Sequence, residues 1–263
     1  MTKTFLNPSE MTSAVINMGM TRGNEKNNLR TLISGFAAGV FIAVAGIGQL
    51  SATQTLAQNF DGGFAKFLGA CIFPVGLMLC VFTGASLFTG NSLLTLSFLT
   101  KKLSFFNLLK NIVLVWIGNF LGSIFVAYVS FFGGIFSSPA MEKALMQTVT
   151  SKISLSFSQA LFSGFLCNLL VAMGVIMAMC ATDAVGKLFA CWFPIMLFVV
   201  SGYQHVVANM YILSLGKLIS WESVSVFETF VNHIIPVTVG NFLSGGVFIP
   251  VILYYLYAKD LEI

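Results

Sequence analysis

His205 sits near the middle of a 29-residue run, 188–216, that holds no charged side chain. Its surroundings read Ser201-Gly202-Tyr203-Gln204-His205-Val206-Val207-Ala208-Asn209-Met210. Histidine is the side chain whose ordinary titration lies near neutral pH. Deep in an apolar run it is either a hydrogen-bonded packing residue or a group that handles an ion or a proton. A second polar interruption, Val81-Phe82-Thr83-Gly84-Ala85-Ser86-Leu87-Phe88-Thr89-Gly90-Asn91-Ser92, lies in the run 67–100. Thr89, Asn91 and Ser92 are types that cap helix N-termini, which predicts a half-helix from there to Lys101. Both stretches read as helices broken near a bilayer midplane, where irregular backbone is tolerated only beside protein or a watery cavity. A broken helix presents free N–H groups and the positive end of its dipole, so two facing breaks make a site for a small anion. The competing reading is that glycine and proline simply kink packed helices. The coincidence of breaks, hydroxyls, amides and a histidine favours the site.

Other residues join these two stretches. Asn168 is an isolated polar residue at depth and is expected either to orient His205 or to act as packing glue. Phe73, Leu77, Leu87, Phe88 and Phe198 flank the breaks, and apolar constrictions gate pores by dewetting. Lys152, just outside the run 153–182, either draws anions into a vestibule or anchors its helix at the interface. His233, near the start of the last run, reads as interfacial. Cys71, Cys80, Cys167, Cys180 and Cys191 are odd in number and lack metal-ligand spacing, so they read as small core residues; no metal or other cofactor is expected.

The elements that must hold these residues follow from the charges. Only 8% of the 263 residues are charged, against about 25% in a soluble domain. That excludes a soluble enzyme, a disordered chain and a nucleic-acid binder. Charge-free runs span 31–60, 67–100, 111–141, 153–182, 188–216 and 229–258, each 29 to 34 residues long. About 20 apolar residues cross the hydrocarbon core as a helix, whereas barrel strands are near 10 and alternate. The expectation is an all-α membrane protein of six transmembrane helices, with helices 2 and 5 broken. With the N-terminus inside, the inner segments carry Lys3, Arg22, Lys26, Arg30, Lys101, Lys102, Lys110, Lys187 and Lys259; the outer ones carry Lys66, Lys143, Lys152 and Lys217. That bias puts both termini in the cytoplasm, in the inner membrane of a bacterium.

The two halves echo each other. Ser34-Gly35-Phe36 returns as Ser163-Gly164-Phe165, Thr83-Gly84 with Asn91 as Ser201-Gly202 with Asn209, and Gly118-Asn119-Phe120-Leu121 as Gly240-Asn241-Phe242-Leu243. Three crossings per half make the repeats inverted, with the path at their interface. The predicted organisation is a cytoplasmic segment over 1–29, in which Ser9 caps a short helix, and a membrane channel domain over 30–263, with repeats near 30–133 and 154–259.

The broken segments, with Leu87-Phe88-Thr89 in one and Ser201 to Met210 in the other, resemble the formate/nitrite transporter family. Leu166-Cys167-Asn168-Leu169 and the position of Lys152 also fit, and the resemblance covers about 30–258. It implies an aquaporin-like fold, a homopentamer in the lipid bilayer, and a pore in each protomer for a small monovalent anion such as formate, nitrite or hydrosulfide. It further implies that Leu87, Phe88 and Thr89 form a mobile loop and that Phe73, Leu77 and Phe198 mark the narrow points. His205 faces the pore between them with Thr89, Asn168 and Asn209 nearby, and Lys152 lies in the outer vestibule. Formate channels of the family carry Glu before the histidine where this chain has Gln204; the whole is most similar to the hydrosulfide channel branch. Two rival readings come from other classes. An intramembrane serine protease would pair Ser86 with His205 as nucleophile and base. A neutral-solute pore of the aquaporin type would need Asn-Pro-Ala at both half-helix starts, and neither Asn91 nor Asn209 precedes proline.

Overall fold

The computed structural model describes residues 5–220 and 224–259. Lys3, counted above with the inner charges, and the chain ends 1–4 and 260–263 lie outside the described residues. The chain is a helical membrane bundle. A peripheral helix α1 (Pro8–Gly23) precedes the first crossing, α2 (Asn28–Thr53) with its short extension α3 (Leu56–Asn59). The second crossing is α4 (Gly62–Ile72) and α5 (Val75–Thr83), then, beyond a break, α6 (Phe88–Asn91) and α7 (Thr95–Leu99). The third is α8 (Phe105–Phe132). A second peripheral helix, α9 (Pro139–Ile153), leads to the fourth crossing, α10 (Phe157–Cys180). The fifth is α11 (Ala184–Val200), a break, and α12 (Val206–Ile219). The sixth is α13 (Val226–Ala258), which contains three π-helical turns.

Local chemistry starts these helices. Asn7, Asn27, Asp61, Ser104, Ser138, Ser156 and Asp183 each accept the backbone N–H three residues on. Each cap is worth about 1 kcal/mol. Asn7, not Ser9, caps α1, because Glu10 returns a bond to the Asn7 N–H at 2.9 Å and closes a capping box. Phe82, Phe125, Phe132 and Phe162 are among the large apolar side chains exposed on the outside of the bundle.

Close packing of glycines builds the bundle, and it does so twice. Gly35 of α2 lies against the Val115 carbonyl of α8, and Gly118 against the Leu32 carbonyl. In the second half Gly164 of α10 lies against the Val237 carbonyl of α13, and Gly240 against the Leu161 carbonyl. A Cβ at Gly35 or Gly164 would stand 2.9 or 3.0 Å from the facing carbonyl oxygen, so only glycine allows this approach. The mirrored contacts extend to the peripheral helices. Gly19 of α1 packs on Ser97 at the end of α7, and Gly216 at the end of α12 packs on Val149 of α9. α1 and α9 thus pack in the same way on the second half-helices of the second and fifth crossings.

Candidate functional site

The two breaks are built on one plan. α5 ends at Gly84 and α11 runs to Ser201, just before Gly202; both glycines adopt φ 75°, a left-handed conformation that needs no Cβ. Two residues on, Ser86 N–H donates to the Ser34 carbonyl (3.2 Å) and Gln204 N–H to the Ser163 carbonyl (3.4 Å). An asparagine from the third crossing of each repeat then staples the break. Asn119 Oδ1 accepts from Phe88 N–H (2.8 Å), while its Nδ2 donates to the Gly35 and Ser86 carbonyls. Asn241 Oδ1 accepts from Val206 N–H (3.0 Å), while its Nδ2 donates to the Gly164 and Gln204 carbonyls. The Gly-Asn-Phe-Leu echo located these asparagines in the sequence without disclosing their work. The second half-helix of the first break starts after Leu87, with Asn119 supplying the cap, so Thr89, Asn91 and Ser92 are not its N-caps. Ser92 instead donates back to the Thr89 carbonyl at 2.6 Å.

His205 occupies the N-cap position of α12, and the N–H of Ala208 donates to its Nδ1 at 3.2 Å. That bond requires a lone pair on Nδ1, so in the neutral ring the proton sits on Nε2. Nε2 lies 3.1 Å from Thr89 Oγ1 and therefore donates to it, leaving the Thr89 hydroxyl hydrogen free to donate elsewhere. One bond thus joins the two breaks. The His205 ring also stacks on Phe198 (centroids 5.8 Å apart), and Phe198 meets Phe73 edge-on at 5.9 Å.

Two cavities approach this junction. One, of about 240 Å³, is lined by Phe73, Phe198, Gln204, His205, Lys152 and Lys66. No carboxylate among the described residues lines it. The other, of about 180 Å³, is lined by Leu77, Leu87, Cys80 and Val175, with Arg22 and Lys187 at its rim. Lys152 is half-buried, and burial pushes its ammonium down to about 8; its Nζ donates to Gln204 Oε1 at 3.0 Å. Arg22, at the end of α1, stands in the mirrored position and donates to Asn91 Oδ1 (2.6 Å) and the Gly84 carbonyl (3.3 Å).

The structure gathers most of the expected residues and separates a few. Phe73 and Phe198 flank one cavity, and Leu77 and Leu87 the other. Phe88 is buried and contributes through its N–H; its ring lines neither cavity. Asn168 does not reach His205. It donates to the Thr89 and Asn241 carbonyls (3.2 and 2.7 Å), bracing the backbone behind Thr89. Asn209 faces Gln204 and His233. His233 is 1% exposed and packs inside the bundle beside Asn209. Ser86 donates no proton to His205: it pairs with Ser34 Oγ at 3.0 Å, and both nitrogens of His205 are engaged elsewhere. The protease reading fails on that geometry. Arg22, Lys66, Lys187, Asn119 and Asn241 escaped the sequence reading as site residues.

Residues 9–255 match the family model described as formate/nitrite transporter. The chain belongs to the formate/nitrite transporter family. Its relatives in that family include a probable formate transporter of Methanothermobacter thermautotrophicus, 33% identical over 88% of this chain and 90% of the relative. The formate channel BtFdhC of Bacillus thuringiensis is 32% identical over 97% of each. Among solved structures, a pentameric formate channel with formate bound superimposes with a TM-score of 0.80 at 28% identity, covering 90% of this chain and all of that one. A formate/nitrite transporter family ion channel reaches 0.84 at 27% identity, over 94% and 98%. Membership makes this chain a multi-pass membrane transporter rather than an enzyme, and assigns its paired breaks to a transport fold.

Proposed function

We propose that the protein passes small monovalent anions of the formate, nitrite and hydrosulfide class across the inner membrane of a bacterium. The path runs from the Lys152 vestibule past Phe73 and Phe198 to His205 and Thr89, then between Leu77 and Leu87 to the Arg22 vestibule. The observation that carries this reading is the Thr89–His205 bond, which joins the two breaks between two apolar, cation-rimmed cavities. A dehydrated anion is costly unless donors replace its water. Here the Nε2–H of His205 and the Thr89 hydroxyl are those donors, while Lys152 and Arg22 raise the anion concentration at either mouth. Positive-inside bias puts the Arg22 side and both termini in the cytoplasm, with 1–29 a cytoplasmic segment and 30–263 the channel domain.

Each protomer of a homopentamer carries its own pore in this proposal, supported by the shape match to a pentameric formate channel. Hydrosulfide comes first within the class because Gln204, a neutral amide, stands against Lys152 where formate channels of the family carry glutamate. Formate is the second reading, favoured by relatives named as formate channels. Uptake of hydrosulfide, formate, nitrite and glycerol into voltage-clamped proteoliposomes tests both. The expected result is passage of the anions, hydrosulfide fastest, with glycerol excluded. Glycerol flux matching the anions would sink the proposal, and native mass spectrometry showing monomers in mild detergent would remove the pentamer.

A further inference from the structure

Beyond the junction, a chain of hydrogen bonds runs from Lys152 to a second buried histidine. Lys152 Nζ donates to Gln204 Oε1 (3.0 Å), and Asn209 Nδ2 donates to the same oxygen (3.1 Å). Asn209 Nδ2 also lies 2.8 Å from His233 Nε2. The polarity of the chain is set from its charged end. An ammonium has donors only, so the Gln204 atom facing it is the oxygen. The Asn209 atom facing that oxygen must then be the amide nitrogen, and its other hydrogen points at His233. His233 Nε2 must therefore be a bare acceptor, with the ring proton on Nδ1, which is buried beside the Lys152 main chain and makes no close hydrogen bond. His205 and His233 thus hold opposite tautomers.

The other repeat has a shorter circuit, in which Arg22 donates to Asn91 Oδ1 directly with no counterpart of Gln204 between them, and an amide stands at its end. Asn91 Nδ2 donates to Asn111 Oδ1 (2.9 Å), and Asn111 Nδ2 donates to the Arg22 carbonyl (2.9 Å). Asn111 and His233 occupy equivalent places 122 residues apart, the spacing that relates Asn119 to Asn241. Asn111 thereby ties the end of α1 to the break, next to its cation.

We propose that His233 is a positioning residue for anion capture: by accepting from Asn209 it fixes Gln204, and through Gln204 it holds the Lys152 ammonium at the vestibule. The inference rests on the reading of Lys152 as the vestibule cation. Loss of the acceptor lets the Asn209 and Gln204 amides turn, and the lysine loses its fixed place. His233→Leu is the test, read as the half-saturating formate concentration for uptake from the Lys152 side at low ionic strength. That concentration should rise about tenfold, the low end of local electrostatic enrichment. His233→Asn, which installs the residue of the other repeat, should restore it, and His233→Leu should add nothing once Lys152→Ala is present. An unchanged value in His233→Leu, or an additive loss in the double variant, overturns the proposal. A normal value in Lys152→Ala alone overturns the reading of Lys152 instead. Should His233→Leu fail to assemble, ¹⁵N-histidine spectra of the wild-type protein decide: one Nε2–H and one Nδ1–H ring are expected, and two rings of the same tautomer refute it.

Discussion

The first break, Gly84 to Phe88, and the second, Gly202 to Val206, share a backbone and differ in cargo. Both turn on a left-handed glycine, tie back to the first crossing of their repeat, and take an asparagine staple from the third. Leu87 and His205 even adopt matching N-cap conformations, φ −98°, ψ 130° and φ −97°, ψ 117°. Yet Leu87 makes no side-chain cap, while His205 caps its own helix and bonds across to Thr89. The scaffold is paid for once per repeat in glycine and asparagine, and the chemistry is free to be asymmetric. In the proposed path one N-cap is an apolar constriction and the other a donor.

The largest effect expected from this difference falls on His205. His205→Phe keeps the ring's volume and its stacking on Phe198 but removes the donor. A buried charge left without one donor costs about 3 kcal/mol, so anion flux should fall roughly a hundredfold with the oligomer intact. Leu87→Phe, the same residue at the mirrored place, should narrow the other cavity without changing pH dependence. His205→Asn retains a donor that does not titrate: restored flux with a profile flat below about pH 7 makes the ring a hydrogen-bonding residue, and a dead variant favours a proton relay. Wild-type flux in His205→Phe would return the histidine to a packing role.

The staples should cost more alike. Asn119→Leu and Asn241→Leu each strand one buried N–H and two buried carbonyls, and hydrogen bonds between membrane helices are worth about 0.6 to 2 kcal/mol each. Thermal dissociation of the oligomer should shift by a similar amount in both. Selectivity among formate, nitrite and hydrosulfide should change more in Asn241→Leu, because that break carries His205. A large stability loss in only one of them would mean that the two breaks do not share a scaffold.

Much of this was legible in the sequence because charge is so sparse. Six runs gave the crossings, and glycine with polar residues inside two of them gave the breaks. His205 and Thr89 stood out as polar residues where apolar ones are the rule, and Lys152 as a cation at the edge of a run. What the sequence hid depends on distances between crossings. Asn119 and Asn241 look like ordinary helix glue until their caps on Phe88 and Val206 are seen. Arg22 reads as a solvated charge on a polar segment, because nothing local to residue 22 points to Asn91. His233 reads as interfacial because it opens its run, and nothing local to it shows its bond to Asn209 across to α12.

The smallest effect contrasts the two cations. Burial leaves the Lys152 ammonium titrating at about 8, so its charge is full below that pH and lost above it. Arg22 keeps its charge throughout, since a guanidinium does not deprotonate in this range. Uptake of formate from the Lys152 side should therefore fall a few-fold between about pH 7 and 9 at low ionic strength, while uptake from the Arg22 side stays flat. Formate is the right probe because its carboxylate, like others of ordinary value near 4, is ionised across the whole window. Lys152→Ala should start at the lower rate and show no slope, and 1 M salt should erase the slope in the wild type by shortening the Debye length to about 3 Å. A slope that persists in Lys152→Ala would assign the titration to another group and leave Lys152 as an interfacial anchor on α9.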